Sequence, residues 1–218
     1  MFFPFVCGYA EIHYSLKKLR ARYHSRSAEI IFDMPIRCLT QRSQTLPLAL
    51  IVKDSHLYPV SIEQIKVIIQ FQNQAKKHFI HHLCLPFSQT INQDFFYTLF
   101  EIPIKAEYEN QQIKIQVAFS YTTTDGQTHQ AINDNYKGLA PHSFSCFISR
   151  DNLPFPSSYY KGDPHYHSSY TSDLVEFGAP LSITQRFAWC MGMDWFFVTD
   201  HSYDLDDYAD NYLANDPA

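Results

Sequence analysis

An immunoglobulin-like β-sandwich followed by a β-α-β unit is expected from three features of this 218-residue sequence. Apolar and polar residues alternate through the first two thirds, the period of a strand with one buried face. A stretch rich in Pro and Ser, "SRDNLPFPSSYYKGD", then interrupts the pattern at residues 149–163. After it the rhythm becomes helical, and next a continuous apolar run.

The strands follow in order. "AEIIFDMPI" is the first. "LPLALIVKD" alternates through Leu46, Leu48, Leu50 and Val52, and "IKVIIQF" through Ile65, Val67, Ile69 and Phe71. "FYTLFEIPI" does so through Phe96, Phe100, Ile102 and Ile104, with Thr98 interrupting. "KIQVAFSY" belongs to the clearest case, with Ile113, Ile115, Val117, Phe119 and Tyr121 on one face. Pro35 and Pro103 lack the N–H a central ladder needs and mark edges or bulges. Asp125-Gly126 is a hairpin signal. Residues 1–150 therefore form the sandwich, and 151–163 a linker that enters the next strand.

In the remaining part, residues 160–218, "SYYKGDPHYH" supplies a short strand. "PLSITQRFAWCMGM" places Ile183, Phe187 and Met191 on one helical face, with Gly192 suited to end the helix. "DWFFVTDHS" suits a strand covered on both faces, as in a parallel sheet. The crossover between two such strands is right-handed by strong prior.

The composition sets outer limits. With 45% hydrophobic residues the chain can bury a core. A formal net charge of −5 and a pI near 6.1 argue against a nucleic-acid partner held by bulk charge. No apolar run approaches the ~20 residues of a membrane-spanning helix. Five scattered cysteines without CxxC spacing predict buried free thiols and a cytoplasmic location.

The chemistry-bearing residues gather at the ends of the last two strands. His165 and His167 stand two apart, so their side chains share a face. Asp200 and His201 end the second strand in "VTDHS". In parallel sheets that carboxyl edge is where sites form. Imidazoles with carboxylates suit Zn, Mn or Fe. "HFIHH" at 78–82 is a weaker metal signal, because its histidines lie on a strand without converging.

"GDPHYHSSYTSD" followed by "GMDWFFVTDHS" resembles the first two motifs of the PHP (polymerase and histidinol phosphatase) family, D-x-H-x-H and T-D-H. The similarity covers roughly residues 160–207 and leaves the sandwich outside it. It implies a (β/α)7 barrel of TIM-like kind and hydrolysis of phosphoesters, or of related ester and amide bonds, at a centre of two or three metals. Carried over, His165, His167, Asp173 and His201 are metal ligands. Asp163 and Asp200 orient imidazoles, and Glu176 is a further candidate. No residue of this stretch is assigned a direct catalytic role. The family's later motifs do not occur before Ala218, which predicts an incomplete barrel and an incomplete site, the N-terminal part of a longer protein, with a complementing C-terminal polypeptide as the other source of the missing part. On that expectation the substrate is a small molecule or a phosphoester, and this chain by itself is inactive. The alternatives are a non-catalytic binding module and one half of a split enzyme.

Overall fold

The computed structural model describes residues 11–13, 27–72, 77–136, 143–154, 156, 158–171 and 176–201. Its strands are β1 (Glu11–His13), β2 (Glu29–Asp33), β3 (Arg37–Leu39), β4 (Thr45–Lys53), β5 (Val60–Gln72), β6 (His78–Leu85), β7 (Gln89–Ile91), β8 (Phe95–Pro103), β9 (Gln111–Thr123), β10 (Thr128–Ile132), β11 (Phe144–Ser149), β12 (Gly162–Tyr166), β13 (Glu176–Gly178) and β14 (Trp195–Val198). Among the described residues there is one α-helix, α1 (Leu181–Met191).

Two sheets face each other. One has seven strands, running β3-β11-β9-β5-β6 with β10 beside β9 and β7 beside β5. The other is the antiparallel trio β2-β4-β8. The alternating residues meet between them: Leu46, Leu48, Leu50 and Val52 from β4 share one buried core with Ile65, Val67 and Ile69 of β5 and Ile113, Ile115 and Val117 of β9. The Asp125-Gly126 turn joins β9 to β10 as a hairpin, with Gly126 at φ +78°.

β4 is buried on both faces, which its alternation does not predict. Ala49 and Ile51 point away from the sandwich core and join Ile31, Tyr166, Ala179, Ile183 and Phe187 in a second apolar cluster. Helix α1 thus packs its apolar face on the back of the three-stranded sheet. Gly192 ends it in the left-handed conformation, φ +86°, as its position suggested.

This packing overturns the barrel. The described residues hold fourteen strands, mostly in antiparallel or mixed sheets, one α-helix and one short 3-10 helix, Ala106–Tyr108. A (β/α)7 barrel alternates strand and helix throughout. The β-α-β passage is present locally, since β12 and β14 run parallel with α1 between them in sequence. That pair forms a two-stranded sheet of its own, and α1 uses its apolar face on the sandwich rather than on a barrel wall. The TIM-like architecture expected from the motif resemblance is therefore withdrawn.

Polar contacts clamp the helix in place. Arg186 forks onto Glu101 of β8 at 2.8 Å to each carboxylate oxygen and donates to the Ser43 hydroxyl at 2.6 Å. Arg42 reaches the far end of α1, donating to the Met193 carbonyl and the Asp194 carboxylate, each at 2.7 Å. Partial burial pushes Glu101 up, but the Arg186 and Thr45 hydrogen bonds and the Arg186 charge outweigh it and hold the carboxyl below its ordinary value of 4.5. A carboxyl depressed in the folded state contributes fully above its ordinary value, and the contribution is lost as pH falls through the folded value. The melting-temperature gap between wild type and Glu101→Gln is accordingly expected at pH 7 and should shrink below pH ~4. A gap that persists unchanged at pH 3 would show that Glu101 acts through packing.

Candidate functional site

The ends of β12 and β14 lie side by side. Their register places Gly162 opposite Trp195, Asp163 opposite Phe196 and Tyr166 opposite Val198. Three steps along β12 therefore match two along β14, a bulge at Pro164–His165. Pro164 cannot donate to a ladder, so a bulge is where it fits. Bulges re-aim side chains, and this one sits beside the histidines. Beyond the strands the pairing continues, with the Thr199 N–H donating to the Tyr166 carbonyl at 2.7 Å.

The imidazoles converge. Ring centroids are 4.7 Å apart for His165 and His167, and 4.6 Å apart for His167 and His201. His167 lies in the middle and is buried, His201 is half-buried, and His165 is exposed. The rings of His165 and His167 are inclined at 51° to each other, and those of His167 and His201 meet edge-on at 68°. Among the described residues no set of three His, Cys, Asp or Glu donors is yet placed to hold an ion.

The two aspartates expected to orient imidazoles accept hydrogen bonds from other groups. Asp163 Oδ1 accepts the backbone N–H of His165 at 3.1 Å, bracing the bulge. Asp200 accepts three hydrogen bonds: the Ser168 N–H at 2.6 Å, the Ser168 hydroxyl at 2.7 Å and the Thr171 hydroxyl at 3.0 Å. The Thr171 hydroxyl in turn accepts the His201 N–H at 3.1 Å. The loop after β12 is thereby stitched to the end of β14, which fixes where His167 and His201 start. Asp173 lies outside the described residues, and of Glu176 the backbone alone is described, in β13.

Two features of the scaffold were not anticipated from the sequence. Tyr166, between the two histidines, is buried, donates its hydroxyl to the Ala179 carbonyl and accepts the Thr184 hydroxyl at 2.6 Å. Gly178 lies so close to the histidine strand that a Cβ there would sit 1.9 Å from the His167 carbonyl oxygen. The signal for it was a glycine 11 residues after His167, which looks like any loop glycine.

Elsewhere the expectations fare unevenly. The "WFFV" run is not covered on both faces: Phe196 packs against the second apolar cluster, whereas Phe197 and Val198 are 62% and 44% exposed. In "HFIHH", His81 is held by the Tyr108 hydroxyl at 2.6 Å, and His78 and His82 are exposed. Among the described cysteines, Cys38, Cys146 and Cys190 are buried as free thiols, but Cys84 is exposed. No helix among the described residues is long and apolar enough to cross a membrane.

No family model matches the sequence, and no curated protein matches it. Among solved structures, the X-ray structure of structural genomics target SoR45 is similar over 62% of this chain and 97% of its own, at 10% identity and a TM-score of 0.36. The sporulation control protein Spo0M from Bacillus subtilis is similar over 56% of this chain and 49% of its own, at 10% identity and a TM-score of 0.29. Neither likeness carries weight for fold or function.

Proposed function

We propose that His165, His167 and His201 form part of a divalent-metal site, for Zn, Mn or Fe, and that the site serves hydrolysis of a phosphoester. The observation that supports this reading is the meeting of three imidazoles from two adjacent strand ends. The resemblance of residues 160–207 to PHP motifs adds the reaction class, and the reading does not depend on a barrel. Neutral imidazoles suit these ions, and His167 stands within 4.7 Å of His165 and 4.6 Å of His201, ring centroid to ring centroid. Asp173 is the candidate for an acidic ligand.

A bound divalent metal supplies a water whose pKa falls toward ~7 and a positive charge against the developing oxyanion. The protein's own contribution is positional. His167, buried at the centre, has little freedom, whereas His165 is exposed to solvent. Asp200, through Ser168 and Thr171, keeps the loop after β12 in register with His201.

Equilibrium dialysis of the full chain against Zn and Mn tests the reading, followed by assay of a generic phosphodiester. Metal binding is expected, weakened at least ~100-fold in the His165→Ala, His167→Ala double variant with its fold retained. Absence of binding to wild type, or equal binding by the double variant, overturns it. Binding without turnover keeps the metal site and favours either the non-catalytic module or completion by a second polypeptide.

A further inference from the structure

We propose that Cys38 and Cys190 are the two halves of a disulfide that locks helix α1 onto the sandwich. Their sulfur atoms are 2.7 Å apart, joining β3 to the last turn of α1 across 152 positions of sequence. Even carbon atoms rest about 3.5–4.0 Å apart when unbonded. Two sulfurs at this separation are close to the ~2.05 Å of the covalent bond, and little backbone movement is needed to make it. Both residues are completely buried, so a partner from another molecule cannot compete in the folded state.

The reaction needs an oxidant, and a low-molecular-weight disulfide such as oxidised glutathione suffices. One cysteine loses its proton, and its thiolate attacks a sulfur of the small disulfide, expelling one small thiolate that takes up a proton. The second cysteine, likewise deprotonated, then attacks the resulting mixed disulfide and expels the other small thiol. The protein gives up two hydrogens and two electrons, and the small disulfide is reduced to two thiols.

The surroundings set the rate. Hydrogen bonding to Cys38, together with burial, pushes the Cys190 thiol far above its ordinary range. Thiolate, the attacking form, is therefore scarce while α1 is docked. Oxidation waits for α1 to lift from β3, and the finished bond then prevents it from lifting again. Because Ile183 and Phe187 of the same helix pack beside Tyr166, the lock holds the ground on which the histidine strand stands.

The test is a peptide map of the full chain, incubated with oxidised glutathione or with dithiothreitol and then alkylated. The oxidised sample should yield a Cys38–Cys190 linked peptide lighter by two hydrogens. Its melting temperature should exceed that of the reduced sample by at least ~5 °C. That difference should survive Cys84→Ser and vanish in Cys190→Ser. Glutathione adducts without the link, persistence of two alkylatable thiols, or a Cys38–Cys146 link would overturn the proposal. The wild-type map decides the matter even if Cys190→Ser fails to fold.

Discussion

Asp200→Ala is expected to destabilise the folded chain by about 4 kcal/mol. The carboxylate accepts from three donors on two residues, Ser168 and Thr171, neither of which is exposed at all. Each buried donor left without a partner costs about 1–3 kcal/mol, and bonds to a charged acceptor lie in the upper half of that range. The sum is less than three full losses, because the Ser168 and Thr171 hydroxyls can turn toward other acceptors. The Ser168 N–H cannot turn. Asp200→Asn keeps the shape but offers one carbonyl oxygen and two unwanted donors, so roughly half the loss is expected there. In urea, with a slope near 2.5 kcal/mol/M for a chain of this size, the alanine variant should unfold about 1.5 M earlier than wild type. If Asp200 served chiefly to orient an imidazole, the outcome would differ: metal affinity would fall about 10–100-fold while the urea midpoint stayed put. The experiment separates a stitch in the scaffold from a partner of the metal ligands.

The difference between what the sequence disclosed and what it concealed lies in the range of the interactions. Period-two alternation is local, so the faces of β5 and β9 were legible residue by residue. The same alternation in "LPLALIVK" hid the burial of the second face, because Ala49 and Ile51 are apolar too and nothing local says that a helix from residues 181–191 covers them. Helix α1 was legible from its apolar stripe and its terminal glycine, but its destination was not. A stripe states that something covers it and does not state what. The parallel β12–β14 pairing around α1 fits the β-α-β reading, and extending two strands and a helix into a barrel was the error. A pair of short motifs describes at most an edge, and an edge can sit on more than one architecture. The meeting of His167 and His201 could be suspected from their positions at strand ends. The work of Asp200 could not, since its partners Ser168 and Thr171 lie about 30 residues away and are ordinary loop residues by type.

Gly178→Ala should cost about 3 kcal/mol, the upper end for overpacking. The added Cβ would lie 1.9 Å from the His167 carbonyl oxygen and 2.5 Å from the carbonyl carbons of His167 and Ser168. These are backbone atoms, so no side-chain rotation relieves the clash, and β13 must move away from the histidine segment. That movement pulls on the contacts that fix the segment: the Gly178 N–H to the Thr171 carbonyl at 3.3 Å and the Ser169 N–H to the Ala179 carbonyl at 3.1 Å. Gly178 does not have a positive φ, so the backbone conformation itself tolerates alanine and the cost is steric. Gly126 provides the opposite case, with φ +78° and no atom within 4 Å of an added Cβ. Its alanine variant should cost about 1–2 kcal/mol, from conformation alone. At 2–4 °C per kcal/mol, Gly178→Ala should lower the melting temperature by about 6–12 °C, and Gly126→Ala by less than Gly178→Ala. Hydrogen exchange distinguishes them further, because the first should unprotect the amides of Ser169 and Gly178, and the second should leave them as they are. A Gly178→Ala protein as stable as wild type, with those amides still protected, would mean that β13 does not bear on the histidine strand. The support for His167 would then have to come from Asp200 and the loop it ties.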